Sequence, residues 1–145
     1  MKPIAIVSAI LFGLVAYAHD EGHGPKLTDP AKQGGLVAPV VDAKDAKLGE
    51  KAALVHKAEL VRSEDGGVKL YLYDTQMNPL KLTSVEKSAS AVMHKKNTKK
   101  LPFTLKLEGD AFVGQVPKAA KKPFNIDITV KEGDRKLLVA FDNLD

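Results

Sequence analysis

Apolar and polar side chains alternate through the last two thirds of the chain, and turn residues divide this alternation into short runs. In the clearest run, over residues 124–131, Phe124, Ile126, Ile128 and Val130 are separated by polar residues. A two-residue period places neighbouring side chains on opposite faces of a strand, so that one face is buried and the other is wet. Runs at 68–74 and 101–107 follow the same pattern. The alternation predicts an antiparallel β protein.

Seven strands are predicted between residue 53 and the end of the chain. Their ranges are 53–62, 68–74, 85–95, 101–107, 111–116, 124–131 and 136–142. The segments between them are rich in Gly, Asp, Asn and Pro, which accept the backbone angles of tight turns. Seven short strands without a long helix favour an immunoglobulin-like antiparallel β-sandwich, with a small barrel as the alternative.

Residues 1–18 have the organisation of a cleaved signal peptide. Lys2 supplies the positive start, residues 4–15 form a short apolar run, and Ala16-Tyr17-Ala18 gives the small-x-small pattern of a cleavage site. The apolar run is shorter than the roughly 20 residues that cross a bilayer. We therefore expect a soluble, periplasmic or secreted protein without a membrane span, whose mature chain begins at His19.

Residues 19–52 contain three prolines and five glycines, no aromatic residue and no sustained apolar period. Such a composition predicts a flexible arm. The arm precedes one domain at 53–145, because the 127 residues left after cleavage of the 145-residue chain suffice for a single modest core.

Charge and cysteine content narrow the function classes. The net charge is +4 at pH 7, and loss of Lys2 with the signal peptide leaves +3. This excess is too small to predict a nucleic-acid binder. The chain has no cysteine, which excludes disulfides, thiolate metal sites and a lipid-modified cysteine.

The predicted mature N-terminus, His19-Asp20-Glu21-Gly22-His23, is the candidate metal site. The new α-amine and the ring Nδ1 of His19 can chelate one ion, His23 adds a second imidazole, and Asp20 and Glu21 add oxygen ligands. Such nitrogen and oxygen donors suit copper(II) first and zinc(II) second. The alternative interpretation is a solvated tail whose histidines have no metal role.

Other candidate side chains have structural explanations. His56 shares the parity of Ala58 and Leu60, which predicts a buried or edge histidine with a satisfied hydrogen bond. Met93 is predicted to pack in the core, so it and His94 face opposite sides of a strand. Met77 lies in a predicted turn, where the alternative is an exposed ligand for copper(I).

Two loops are rich in lysine. They contain Lys95, Lys96, Lys99, Lys100, Lys118, Lys121 and Lys122. Solvated loop charge is the default interpretation. Attraction to anionic lipid headgroups or cell-wall polymers, weakened by salt, is the alternative.

The sequence lacks the short motifs of hydrolases, zinc proteases and phosphate-binding loops. We therefore expect no enzyme. The two function classes that remain are a metal-handling accessory protein and a non-catalytic domain that binds another envelope protein through a sandwich face or an edge strand.

Four stretches of the chain, 68–74, 78–79, 109–112 and 137–141, resemble small periplasmic sandwich proteins of bacteria that often occur beside heavy-metal efflux systems. The resemblance implies a sandwich fold, metal handling and an efflux or envelope partner. A weaker likeness is to periplasmic copper carriers of the CopC type, which also begin with histidine, as His19 would here. Residues 127–145 contain no histidine, so the later Asp-x-His ligand pair of those carriers has no counterpart.

Overall fold

The computed structural model describes residues 24–118 and 121–145, and eight β-strands form its framework. The strands are β1 (Leu36–Asp42), β2 (His56–Arg62), β3 (Gly67–Tyr73), β4 (Ser88–His94), β5 (Leu101–Glu108), β6 (Ala111–Gln115), β7 (Phe124–Glu132) and β8 (Arg135–Leu144). Two short 3₁₀ segments, Ala43–Lys51 and Leu82–Ser84, lie in the connections. Neither helix in the described part of the chain is long and apolar enough to cross a bilayer.

The strands form a closed antiparallel barrel in the order β1-β2-β3-β6-β5-β4-β7-β8. The ring is closed by β1 and β8, where Val40 pairs with Val139, Val41 with Leu138 and Asp42 with Leu137. On its other side β1 pairs with β2, from Leu36 opposite Leu60 to Val40 opposite His56. Because β1 pairs on both sides, it is the strand that turns a sheet into a ring.

The prediction of a seven-strand immunoglobulin-like sandwich is therefore wrong. The seven predicted strands correspond to β2–β8, but the structure adds β1, which lies inside the segment 19–52 expected to form an arm. Alternation shows that a strand has one buried and one wet face, and this holds in a sandwich and in a barrel alike. The pairing of β1 with β8 decides between the two, and no local pattern encodes it.

The interior of the barrel is filled with apolar side chains. Phe112 is fully buried, and it lies among inward-facing residues from all eight strands. The largest fully buried apolar members are Leu60, Leu70, Leu105, Phe112, Ile126, Ile128, Leu137 and Leu144. An eight-stranded barrel is just wide enough for side chains to fill it. The core therefore holds the fold together without disulfides.

The segment 24–35, which we name the covering segment, lies over part of the outer surface of the barrel. Val41 and Glu59 are both 0% exposed, although each points away from the barrel interior. Because the outer face of β1 is covered as well as its inner face, Val40 and Val41 are buried side by side and β1 shows no clear alternation. The covering segment explains why the sequence pattern does not reveal β1.

The connections lie at two ends of the barrel. One end, which we name the lysine end, contains the β2–β3 turn at 63–66, the β4–β5 loop at 95–100, the described residues 116–118 and 121–123 of the β6–β7 loop, and residue 145. The opposite end contains the 3₁₀ segment Ala43–Lys51 and the β7–β8 turn at 133–134.

Candidate functional site

The predicted metal ligands His19, Asp20, Glu21 and His23 lie outside the described residues. The described chain starts at Gly24, which is buried against β1. A Cβ atom placed on Gly24 would lie within 3.0 Å of the side chains of Pro39 and Val41. The histidines therefore immediately precede a point that packs on the outer surface of the barrel.

Glu59 of β2 fastens the covering segment to the barrel. Its Oε1 accepts hydrogen bonds from the backbone N–H of Gln33 at 2.7 Å and of Gly35 at 2.8 Å. Its Oε2 accepts from the N–H of Lys32 at 2.9 Å and from the Tyr73 hydroxyl at 3.2 Å. Four donors around one buried carboxylate satisfy its lone pairs, as a buried charge requires.

These contacts keep Glu59 ionised. Burial by itself raises the pKa of a carboxyl group, but the N–H groups of Gly35, Lys32 and Gln33 and the Tyr73 hydroxyl outweigh burial and lower the pKa of Glu59 below its usual value. Burial, followed by the charge of Glu59, raises the pKa of Tyr73, which therefore stays a hydrogen-bond donor.

A second contact holds the same segment. Lys57, also on the outer face of β2, forms an ion pair with Asp29 at 2.8 Å, and both side chains are largely buried. The segment is thus attached at residue 29 and again at residues 32–35. Lys57 and Glu59 could not be recognised from the sequence, because a strand that alternates normally gives no signal that its polar face is covered.

His94 and Asp127 form a pair on the outer surface of β4 and β7. His94 Nε2 lies 3.0 Å from Asp127 Oδ2. The other oxygen, Oδ1, is buried and has no hydrogen-bond partner within the described ranges. An imidazole nitrogen and a carboxylate oxygen with a free lone pair are donors of the kind that bind copper and zinc.

His56 lies at the opposite end of the barrel and already has a partner. Its Nε2 lies 2.6 Å from Glu132 Oε2, and Oε1 of the same carboxylate accepts from Arg135 at 2.6 Å. Burial raises the pKa of Glu132, but the Arg135 and His56 contacts outweigh it and lower the pKa. The prediction of a satisfied histidine at position 56 is confirmed.

Met77 and Met93 are both buried. Met93 is 5% exposed and belongs to the core, as predicted. Met77 is also 5% exposed, so the interpretation as an exposed copper(I) ligand is wrong.

The structure brings the two lysine-rich loops together. Lys95, Lys96, Lys99 and Lys100 in the β4–β5 loop and Lys118, Lys121 and Lys122 in the β6–β7 loop are all exposed at the lysine end. None of them forms an ion pair with another described residue, whereas Lys26, Lys44, Lys57 and Lys131 elsewhere all do. The sequence alone does not show that these two loops lie at the same end of the barrel.

No group of three or more His, Asp or Glu side chains within residues 24–118 and 121–145 is arranged to hold a metal ion. The His94–Asp127 pair therefore supplies only part of a coordination sphere. Comparison with protein-family models, with curated proteins and with solved structures finds no match to this chain. The resemblance to sandwich proteins beside efflux systems and to copper carriers stays a prediction.

Proposed function

We propose that the protein is an exported, non-catalytic metal-binding accessory protein that takes copper(II) first and zinc(II) second. The ligands are the α-amine and ring of His19, with His23, Asp20 and Glu21 nearby, once cleavage after Ala18 has freed the amine. An unperturbed α-amine has a pKa of about 7.7 to 8.0, so a metal ion displaces its proton near neutral pH.

The observation that carries this proposal is the His94–Asp127 pair with its unpartnered, buried carboxylate oxygen. The pair offers two donors but needs others to complete a site. The sequence places two histidines directly before Gly24, which packs on the outer surface of the same barrel. We infer that the N-terminal donors and this pair share one ion.

Chain length permits this arrangement. Gly24 packs on Val41 of β1, and β8 separates β1 from β7, which carries Asp127. Two strand spacings amount to about 10 Å, and the third spacing to β4, which carries His94, brings the distance to about 14 Å. The five residues from His19 to His23 span up to about 17 Å when extended. A tether anchored at residues 24–35 also limits the volume that the histidines sample, which reduces the entropy lost when they bind an ion.

The test is copper titration of the mature protein prepared without a polyhistidine tag, with its first residue fixed by mass spectrometry. We expect one copper ion per chain, weaker binding by His94→Gln, and loss of binding by the double variant His19→Ala, His23→Ala. One extra N-terminal alanine should weaken binding because it moves the amine away from the imidazole. His56→Gln is the matched control, since His56 is occupied by Glu132 at the opposite end.

The variants test the barrel pair, the α-amine and metal binding as a whole separately. If His94→Gln binds copper as tightly as the unaltered chain, the barrel pair takes no part. If the extra alanine has no effect, the amine is not a ligand. Protein that binds no stoichiometric copper or zinc contradicts the whole proposal.

The competing function is an envelope interaction domain without a metal role, and the closed ring changes how it would work. Each strand in the described residues pairs with a neighbour on both sides, so none of these strands offers a wholly free edge for β-strand addition. Docking of an efflux or other envelope protein would have to use the outer surface or one end of the barrel.

A further inference from the structure

The lysine end carries a positive charge that its surroundings do not balance. Its loops hold seven exposed lysines, and Arg62 lies at the end of β2 beside them. The acidic residues that offset this charge there are Glu64, Asp65 and Asp145. The whole chain has a net charge of only +4, so most of the excess charge is concentrated at this end. Within the described part of the chain these seven lysines form no ion pair, and their ammonium groups are free to meet an external anion.

An apolar cavity opens among the same lysines. It has a volume of about 280 Å³, and Met93, Leu101 and Phe124 form its apolar wall. Lys95, Lys99 and Lys121 line its other side. Apolar surface and cationic side chains therefore occur together at the mouth of the barrel.

This combination favours an anion that has an apolar part. Lysine side chains lay their methylene stems along apolar surface and hold the ammonium group at the level of the phosphates. A purely hydrophilic polyanion would leave the apolar wall of the cavity without a partner. Single-stranded nucleic acid would need exposed aromatic side chains for stacking, and the two lysine loops contain none.

We propose that the lysine end is a docking surface for a membrane leaflet that contains anionic phospholipid. The lysines contact the headgroup phosphates, and the cavity receives the glycerol and upper acyl region of one lipid. Each basic residue close to an anionic leaflet strengthens binding by roughly fivefold. Several together give reversible attachment of the barrel by this end. His94 of the proposed metal site also lines the cavity, so lipid binding is measured with metal removed.

The test is sedimentation of the full mature chain with vesicles of phosphatidylcholine, with and without phosphatidylglycerol, in the presence of a metal chelator. The variant Lys95→Glu, Lys99→Glu, Lys121→Glu removes the cationic side of the cavity. The matched control is Lys44→Glu, Lys47→Glu, Lys51→Glu, which makes the same charge change on exposed lysines at the opposite end. Thermal melts show whether each variant is folded.

We expect binding only to vesicles that contain phosphatidylglycerol, and at least about 100-fold weaker binding by the lysine-end variant, from three lysines at roughly fivefold each. The control should keep most of its affinity, and raising the salt should release the protein because exposed charges are screened. Equal losses in the two variants would show that net charge alone drives binding and would overturn the proposal. Equal affinity for soluble polyphosphate would also overturn it, because no lipid would then be needed. The chelator separates these outcomes from a failure of the metal proposal.

Discussion

The substitution Glu59→Gln is the most direct test of how the covering segment is held. The change keeps the shape of the side chain but removes its charge and converts one carboxylate oxygen into an NH₂ group. In the best orientation the remaining oxygen still accepts from Gln33 and Gly35, as Oε1 does at 2.7 and 2.8 Å. The new NH₂ then faces the N–H of Lys32, which loses its acceptor, while the Tyr73 hydroxyl can turn to accept.

The expected magnitude follows from these bonds. A hydrogen bond to a charged group contributes about 1.5 to 3 kcal/mol, and one such bond is lost outright. The two that remain become neutral and so weaken by about half. We expect the free energy that holds residues 32–35 on the barrel to fall by at least about 3 kcal/mol, which corresponds to at least roughly 100-fold faster amide exchange.

The assay is hydrogen exchange of the backbone amides of Lys32, Gln33 and Gly35, compared with amides in β3 and β7. Faster exchange should be confined to the covering segment, because Glu59 bonds three backbone amides of this segment and, in the barrel, only the Tyr73 hydroxyl, which can still bond the new amide. Glu64→Gln, the same chemical change in an exposed turn, is the control. Unchanged exchange at the three amides, or equal acceleration in all strands, would refute this account of Glu59.

The same carboxylate predicts a pH dependence. The pKa of Glu59 is lower in the folded protein than its usual value, so the charge of Glu59 stabilises the fold in full above the ordinary glutamate pKa of about 4.3. That stabilisation is lost as the pH falls through the lowered value. The amide chemical shifts of residues 32, 33 and 35 should therefore change together only below the ordinary glutamate pKa. They should lose this joint titration in Glu59→Gln.

Two further substitutions test the covering segment and the core. Gly35→Ala should accelerate exchange at Lys32 and Gln33 without removing a charge, because the added Cβ would overlap the Leu60 carbonyl oxygen; unchanged exchange would mean that the loop approaches β2 less closely. Phe112→Ala should lower the free energy of unfolding by about 3 to 5 kcal/mol, measured by denaturant titration, because Phe112 is fully buried; a loss below about 1 kcal/mol would show that the barrel collapses around the missing ring.

The sequence predicts single strands well and their assembly poorly. The strand predicted at 124–131 is Phe124–Glu132 in the structure, because one of its faces meets the core and the other meets water. The same logic fails for β1, where the covering segment buries Val41 on the outer face and Pro39 interrupts the pattern. Closure depends on the pairing of Val40 with Val139, a contact across about a hundred residues that no local period reports.

For the candidate site too, the sequence indicates the chemistry of single residues but not their contacts. The chemical character of the N-terminal histidines can be read from residue types alone, whereas the partners of His94 and Glu59 could not be predicted. His94 meets Asp127 because β4 pairs with β7, and Glu59 is buried because a distant segment folds over it. Such contacts depend on strand order, which alternation leaves open.

The closure of the barrel by β1 and β8 has a consequence for how the protein folds. Among the described residues these are the first and last strands, so the seam between them cannot form until the final ten-residue strand has emerged from the ribosome. Until then β1 has an unsatisfied side that is open to association with other nascent chains. Contacts between distant parts of a chain also slow folding, so we expect a slow final step that a chaperone guarding β1 would protect.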